Sequence, residues 1–402
     1  MKILSNEQNQ ILNILSNTLF SNNQVIEEVD YANLLDLAYI QSVYMQVYPV
    51  VCDKLEGKNK EKYLNIFLKY VANNTKVEEE HILLNNKLSK NSIDFVLFKG
   101  CASASYYKEP ELRILGDVDF WINKADVEKA KNIFGKEYTC NDERKGNHIS
   151  FVKETNDIKE VYEAHTLVNG IPDNSVGEIL RSYFDNILDE RVVLKLDNGE
   201  LYVPSDFHHG LILLIHMSHH MTHEGIGLRH LCDFAVFVNS FSDEDFFKLF
   251  KEKFEKVGLW KFTQIMTLVC SKYLGLPYKK WASIDNNIDK LLIEIIVDIF
   301  ESGNFGHNDL DRYRQIKYMN TSDTDSKAKM MSESLFQKVE REYPVVKTKK
   351  VLYIKYTAKV AFDYLIKVIK KERRIDNVSD VIEGANKRKE IYEKLALFDI
   401  NE

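Results

Sequence analysis

Residues 117–120 alternate acidic and apolar side chains and lead into the apolar Trp121 and Ile122, a pattern typical of a β-strand. Side chains two positions apart in a strand lie on the same face. We therefore expect Asp117 and Asp119 to point the same way, while the apolar residues of the segment point into a core. Two neighbouring carboxylates repel each other unless a cation lies between them, and Mg²⁺ bound together with substrate phosphates is a common solution. For the isolated motif, an edge strand with two solvated acids is the alternative.

Helical patterns precede and follow this strand. Six prolines and sixteen glycines in 402 residues favour long helices. Apolar residues recur every three or four positions through residues 6–90, for example at Leu64, Leu68 and Val71, and the pattern is helical again after residue 205. Between these regions the sequence predicts short strands at 95–98, 148–153, 159–166, 191–196 and 200–203, and a helix from about 123 to 134.

These patterns predict an α+β fold, with a central mixed sheet and helices flanked by N-terminal and C-terminal helical regions. The predicted division is a helical region at 1–90, an α/β core at 91–204 and a helical domain at 205–402. Such a length allows two or three domains.

Composition favours a protein without membrane segments. The chain is 45% hydrophobic and 29% charged, and no run approaches the ~20 apolar residues of a membrane span. The first residues lack the apolar stretch of a signal peptide, so we expect a cytoplasmic protein. Five dispersed cysteines without a CxxC motif indicate reduced thiols. The net charge of −7 argues against a general nucleic-acid binder.

One segment is strongly basic. Residues 344–374 contain many lysines and arginines at helical spacing. We interpret most of them as a solvated helical face, with phosphate or RNA binding as the alternative.

A glycine turn follows the strand at 95–98. Lys99, Gly100 and Cys101 lead into a run of small residues that includes Ser103. Backbone N–H groups at the start of a helix favour an anion, so this turn is a candidate phosphate site. Glycine is common after a strand, so the turn taken alone is better explained as a purely structural end to the strand.

A third acid lies in the strand at 159–166. Glu163 stands between Tyr162 and Ala164 and shares a face with His165. An acid flanked by apolar residues in a strand is unusual unless it lines a site. With Asp117 and Asp119 it would complete a group of three carboxylates.

The order of these motifs resembles the nucleotidyltransferase superfamily related to DNA polymerase β, and in particular its bacterial branch of uncharacterised nucleotidyltransferases. The glycine turn at Gly100, the pair Asp117 and Asp119, and the later acid Glu163 match the superfamily pattern in order. The turn itself departs from that pattern, because Cys101 stands where serine or glycine is usual.

Further residues match the bacterial branch. They are Arg113 before the acidic pair, His165 two residues after the third acid, and an Arg-x-x-x-Asp run from Arg229 to Asp233. We expect Arg229 and Asp233 to form an ion pair one helical turn apart.

The resemblance implies a nucleotidyltransferase-type sheet and a reaction that depends on Mg²⁺, with Mn²⁺ as the alternative. Asp117, Asp119 and Glu163 would be the catalytic and metal-binding residues, and the enzyme would move NMP from an NTP to a hydroxyl group. The acceptor is a small molecule, a protein or an RNA such as tRNA. The residues expected to bind the nucleotide are Lys99, Gly100, Cys101, Ser103 and Arg113.

Histidines cluster on the helix predicted after residue 205. His209, His216, His220 and His223 form one stripe. Three interpretations of this stripe are open. It is a zinc site, or it packs against the core, or it lines a substrate cleft that includes His165, His216, His220 and Arg229. Two alternatives to the transferase follow: a metal-dependent hydrolase built on this stripe, and a catalytically inactive nucleotidyltransferase fold that serves as an interaction module.

Overall fold

The computed structural model describes residues 4–142, 147–155, 158–284, 288–306 and 378–400, with the short pieces 315, 339, 352–353 and 355–359. It contains a compact unit formed by residues 1–308 and 394–402, and a second unit formed by residues 309–393. The division into three regions that the sequence suggested stays a prediction.

Four helices precede the first strand: α1 (Asn6–Phe20), α2 (Tyr31–Ile40), α3 (Tyr44–Val51) and α4 (Gly57–Lys90). Ser5 and Gln8 form a capping box at the start of α1, which supplies partners for backbone N–H groups that the helix leaves unpaired. The apolar residues Leu64, Leu68 and Val71 of α4 are 40%, 52% and 40% exposed. Periodicity therefore predicted this helix correctly, whereas its contacts with the core below the central sheet come from its second half, for example Leu84. In its first half, Tyr63 is buried instead.

The central sheet has five strands in the order β1-β2-β5-β4-β3. Its strands are β1 (Phe95–Phe98), β2 (Val118–Ile122), β3 (Thr139–Asp142), β4 (His148–Thr155) and β5 (Ile158–His165). The β2–β5 pair is parallel and the other three pairs are antiparallel, so the sheet is mixed. The predicted α+β fold class is confirmed.

One face of this sheet packs into the core. Val118, Phe120 and Ile122 of β2 are fully buried together with residues of α4 and of α6 (Val127–Phe134). Alternation along β2 leaves Asp119 on the opposite face. The predicted strand is confirmed, although Asp117 lies just before it. We call the face that carries Asp119, Glu163 and His165 the site face.

Helices and a hairpin complete the first unit. The hairpin is β6 (Val192–Leu196) with β7 (Gly199–Val203), as the sequence predicted. The remaining helices are α5 (Gly100–Ala104), α7 (Ser175–Ser182), α8 (Asp206–His223), α9 (Leu228–Asn239), α10 (Asp243–Glu255), α11 (Trp260–Tyr273) and α12 (Asp289–Ser302). Helix α13 (Val378–Leu395) follows later in the chain.

In the second unit, Val339 is fully buried against Leu352, Tyr353 and Tyr356. The basic segment 344–374 lies outside the described residues, apart from 352–353 and 355–359. No helix in the described part of the chain is long and apolar enough to cross a membrane.

Candidate functional site

A strained turn connects β1 to α5. Lys99 has φ 58° and ψ −136°, and Gly100 has φ 33°. A Cβ atom on Gly100 would lie 2.3 Å from Nε2 of His81, a buried side chain of α4. Positive φ values at residues other than glycine often mark functional sites. The turn thus needs glycine both for its backbone and for the space that His81 occupies.

Asp119 lies at the centre of the site face. It is 6% exposed, and its Oδ1 accepts hydrogen bonds from Nζ of Lys99 at 3.1 Å and Nε2 of His165 at 2.8 Å. Burial alone would raise the pKa of Asp119, but Lys99 and His165 outweigh burial and hold this pKa well below the usual carboxyl range. Asp119 is therefore ionised and already paired with a cation.

Asp117 has the opposite electrostatic character. It is exposed just before β2. Desolvation and then the carboxylates of Glu163 and Asp119 raise the pKa of Asp117. Glu163 and Asp119 thus act on the charge of Asp117, and the three acids produce a concentration of negative charge that a cation would relieve.

The register of the sheet explains why Glu163 joins this group. In the parallel β2–β5 pair, Asp119 is opposite Glu163 and Trp121 is opposite His165. On the other side of β5, the antiparallel register places His148 opposite His165. Glu163 and both histidines therefore lie on the site face.

The closest group of metal-type ligands differs from the expected one. Among the described residues, the set of three whose ligand atoms all lie within 4.8 Å of one another is His148, Glu163 and His165. The three carboxylates do not form such a set. Sequence reasoning missed His148, although pairing the two predicted strands of the hairpin would have placed it beside His165. Metal binding by the three acids stays a prediction.

Arg113 is buried and pairs with an acid of a distant helix. It is 4% exposed, and its guanidinium donates two hydrogen bonds of 2.8 Å to the two carboxylate oxygens of Asp233 in α9. Tyr107 donates a third, of 2.6 Å, to Asp233. One expectation needs correction: Asp233 pairs with Arg113 instead of Arg229. Nucleotide binding by Arg113 stays a prediction. The planar guanidinium of Arg113 binds both carboxylate oxygens of Asp233 at once, the strong geometry of an arginine–carboxylate pair.

The histidine stripe divides into separate environments. Burial and then the charge of Lys99 lower the pKa values of His216 and His220, so these two side chains are near the site. His209 instead packs against Tyr106 and Phe237, with ring centroids 4.9 and 5.4 Å apart.

No three histidines of α8 bring ligand atoms within 4.8 Å of one another in the described part of the chain. A zinc site on the stripe is therefore not formed there. His220 donates a hydrogen bond of 3.0 Å to Glu224, the residue that follows α8.

Unpaired polar atoms lie next to this stripe. Within the described residues, Nε of Arg229 and both ring nitrogens of His230 are buried without a hydrogen-bond partner. Phe305 packs against both His220 and His230, at 4.9 and 5.4 Å between ring centroids. Buried polar atoms in proteins normally have partners, so a bound molecule is a reasonable source of them.

The small residues after the turn are deeply buried. Cys101 is 4% exposed, and burial raises the pKa of its thiol to about 12. It is therefore a neutral thiol and a poor nucleophile. Ser103 is 2% exposed, and its Oγ has no hydrogen-bond partner among the described residues. Whether either residue contacts a nucleotide stays a prediction.

Comparisons with known proteins bear on what this site does. Residues 27–275 match the family model described as "Uncharacterised nucleotidyltransferase". Among solved structures, the chain is similar to an antigenic nucleotidyltransferase-like protein from Paracoccidioides brasiliensis, with 15% identity and a TM-score of 0.34, over 52% of this chain and 96% of that chain. No curated protein matches. The family match covers more than half of the chain, from α2 to α11, and includes the whole central sheet.

Proposed function

The chain belongs to the uncharacterised nucleotidyltransferase family, and from that premise we propose that it transfers NMP from an NTP to a hydroxyl group with the help of Mg²⁺ or Mn²⁺. The observation that carries the proposal is the register of β2 and β5, which sets Asp119 directly beside Glu163. Lys99 contacts the same Asp119 at 3.1 Å. Acid, base and cation are thus gathered on one face of a rigid sheet.

The residues present fit a divalent cation. Asp117, Asp119 and Glu163 offer the carboxylate oxygens that Mg²⁺ prefers. The raised pKa of Asp117, caused by desolvation and by the other two carboxylates, indicates uncompensated negative charge. When bound, the metal would neutralise the triphosphate and lower the pKa of the acceptor hydroxyl.

The side chains of the site would perform the other tasks. Lys99 would neutralise charge on the phosphates, since its ammonium already lies at the edge of the site. Glu163, whose side chain is 25% exposed, would accept the proton of the acceptor hydroxyl. The hydroxyl oxygen then forms its bond to the α-phosphorus in line, and the bond to pyrophosphate breaks.

The acceptor would approach from the side of α8. His220 and the unpaired nitrogens of Arg229 and His230 are the polar groups available to it there. These polar groups suit a small molecule, a protein side chain or an RNA end. The labelling experiment identifies which class of acceptor is used.

Labelled nucleotides test the proposal. Each NTP carrying ³²P at the α-position, with Mg²⁺ and cell extract, should yield a labelled product that is absent without the protein. The same product should carry no label from the γ-position, because the γ-phosphate leaves with pyrophosphate. Asp119→Asn should abolish the transfer, and Asp185→Asn, at an exposed aspartate outside the site, should leave it unchanged. A folded protein that neither binds any NTP nor labels any extract would favour the interaction module.

A further inference from the structure

The site face carries a second set of ligands that contains nitrogen. Nε2 of His148 lies 3.2 Å from Oε2 of Glu163, and Nε2 of His165 lies 3.8 Å from the same oxygen. Ligand atoms about 2.1 Å from a shared metal stand roughly 3–3.5 Å from one another. Small rotations of these side chains would therefore let all three bind one ion.

The backbone holds these residues in place. His148 is paired with His165, and Ser150 with Glu163, in the antiparallel ladder of β4 and β5. Both histidines are buried, at 9% and 5% exposure. The ring of His165 packs on Phe98 at 5.2 Å and lies 4.8 Å from the ring of His148. Ligands on packed strands lose little freedom when a metal binds.

The donor atoms select the kind of metal. Two imidazole nitrogens and one carboxylate suit Zn²⁺ and related transition metals, whereas Mg²⁺ prefers a set made only of oxygens. Asp119 offers a fourth donor, because its Oδ1 lies 2.8 Å from Nε2 of His165. That nitrogen must lose its proton to bind a metal, so its hydrogen bond to Asp119 would be replaced.

We propose that His148, Glu163 and His165 form a binding site for a divalent transition metal, with Zn²⁺ and Co²⁺ preferred over Mg²⁺. Glu163 belongs both to this metal site and to the proposed transferase site, so the inference deepens the proposed function. Any role of the metal in transfer rests on that function, whereas metal binding itself does not. The metal site shares Glu163, and through the fourth donor also Asp119, with the carboxylates assigned to Mg²⁺.

Cobalt provides a direct test without nucleotide or acceptor. The full chain is titrated with Co²⁺ in excess Mg²⁺, and the visible absorption of bound Co²⁺ is recorded together with the metal content. We expect one Co²⁺ per chain, displaced by Zn²⁺. His148→Gln should weaken binding at least about 100-fold, because even the loss of an outer partner of a metal ligand costs 10–100-fold. Glu163→Gln is a second variant with the same expected result.

His223→Gln is the matched control. His223 is exposed, and its ring lies 4.4 Å from that of His219 one turn earlier, so this pair is the competing place for an adventitious ion. The control should bind Co²⁺ like the original chain. The proposal would be overturned if the Co²⁺ absorption were lost in His223→Gln and retained in folded His148→Gln. It would also be overturned if the original chain bound no Co²⁺. Either failure would leave transfer with Mg²⁺ intact, so the two proposals fail separately.

Discussion

The ammonium of Lys99 lies 3.1 Å from Oδ1 of Asp119 and connects the residue after β1 with the start of β2. The backbone of Lys99 has a positive φ to reach this position. Strain at such a position persists only when the surrounding structure supports it. The contact therefore identifies Lys99 as the basic residue most closely tied to the acidic group.

Replacing Lys99 with methionine should reduce transfer strongly without unfolding the protein. Lys99→Met keeps the length of the side chain and removes its charge, so we expect kcat/KM to fall by about 10²-fold, the effect of losing one stabilising group in an active site. Labelled NTP transfer gives the rate, and circular dichroism checks the fold. Lys108→Met, at an exposed lysine, is the control; equal activity of both variants would remove Lys99 from the site.

The buried pair of Arg113 and Asp233 should matter for stability. Arg113→Leu leaves the Asp233 carboxylate buried without its main cation, which costs about 3–5 kcal/mol of unfolding free energy. The control is Arg181→Leu, since Arg181 and Asp173 form a pair at 3.6 Å in which the carboxylate is fully exposed, and such pairs contribute little to stability. Urea unfolding of both variants measures the difference. Equal losses would contradict a structural role for the buried pair.

The glycine at the turn should not tolerate a side chain. In Gly100→Ala the new Cβ would collide with the His81 ring, and the backbone would remain at φ 33°. We expect a loss of about 1–3 kcal/mol and impaired transfer, because strained backbone of this kind carries such a cost. Gly116→Ala is the matched control, since a Cβ atom added at Gly116 would have no atom within 4 Å. Thermal unfolding of the two variants measures the loss of stability. A Gly100→Ala protein as stable as the original chain would contradict the packing of Gly100 against His81.

Stability should decrease in mild acid. Burial lowers the pKa values of His81 and His209 from 6.5 to about 4. Between those values the unfolded chain binds protons that the folded protein excludes, so the unfolding free energy falls as the pH falls, by about 1.4 kcal/mol per pH unit for each such histidine. The lowered pKa of Asp119 acts in the same direction only below the ordinary carboxyl range.

His81→Gln should make this pH dependence shallower by about the contribution of one histidine. Glutamine can still donate a hydrogen bond to the backbone oxygen of Val77, which the His81 ring contacts at 2.7 Å. Urea unfolding at several pH values measures the slope, and measurements above the ordinary histidine pKa serve as the reference. An identical slope in the variant would show that His81 does not titrate on unfolding.

Local sequence patterns predicted the elements that carry the site. Two acids alternating with apolar residues identified β2, and the turn residues after Leu196 identified the hairpin of β6 and β7. The order of Gly100, Asp117, Asp119 and Glu163 suggested the nucleotidyltransferase family, which the family match confirms. These signals are local because the period of a strand and the residues of a turn are properties of a few consecutive positions.

Contacts between residues far apart in the chain were not predicted from local patterns. Asp233 was assigned to Arg229 because the two are one turn apart, yet Arg113, 120 positions away, is its partner. His148 was overlooked because only the register of β4 against β5 brings it beside His165 and Glu163. The alternation of acidic and apolar residues at 117–120 determined which face of the strand Asp119 occupies. Tertiary structure decided which side chains contact Asp119 on that face. Such contacts depend on how distant segments pack and not on the residues next to each side chain in the sequence.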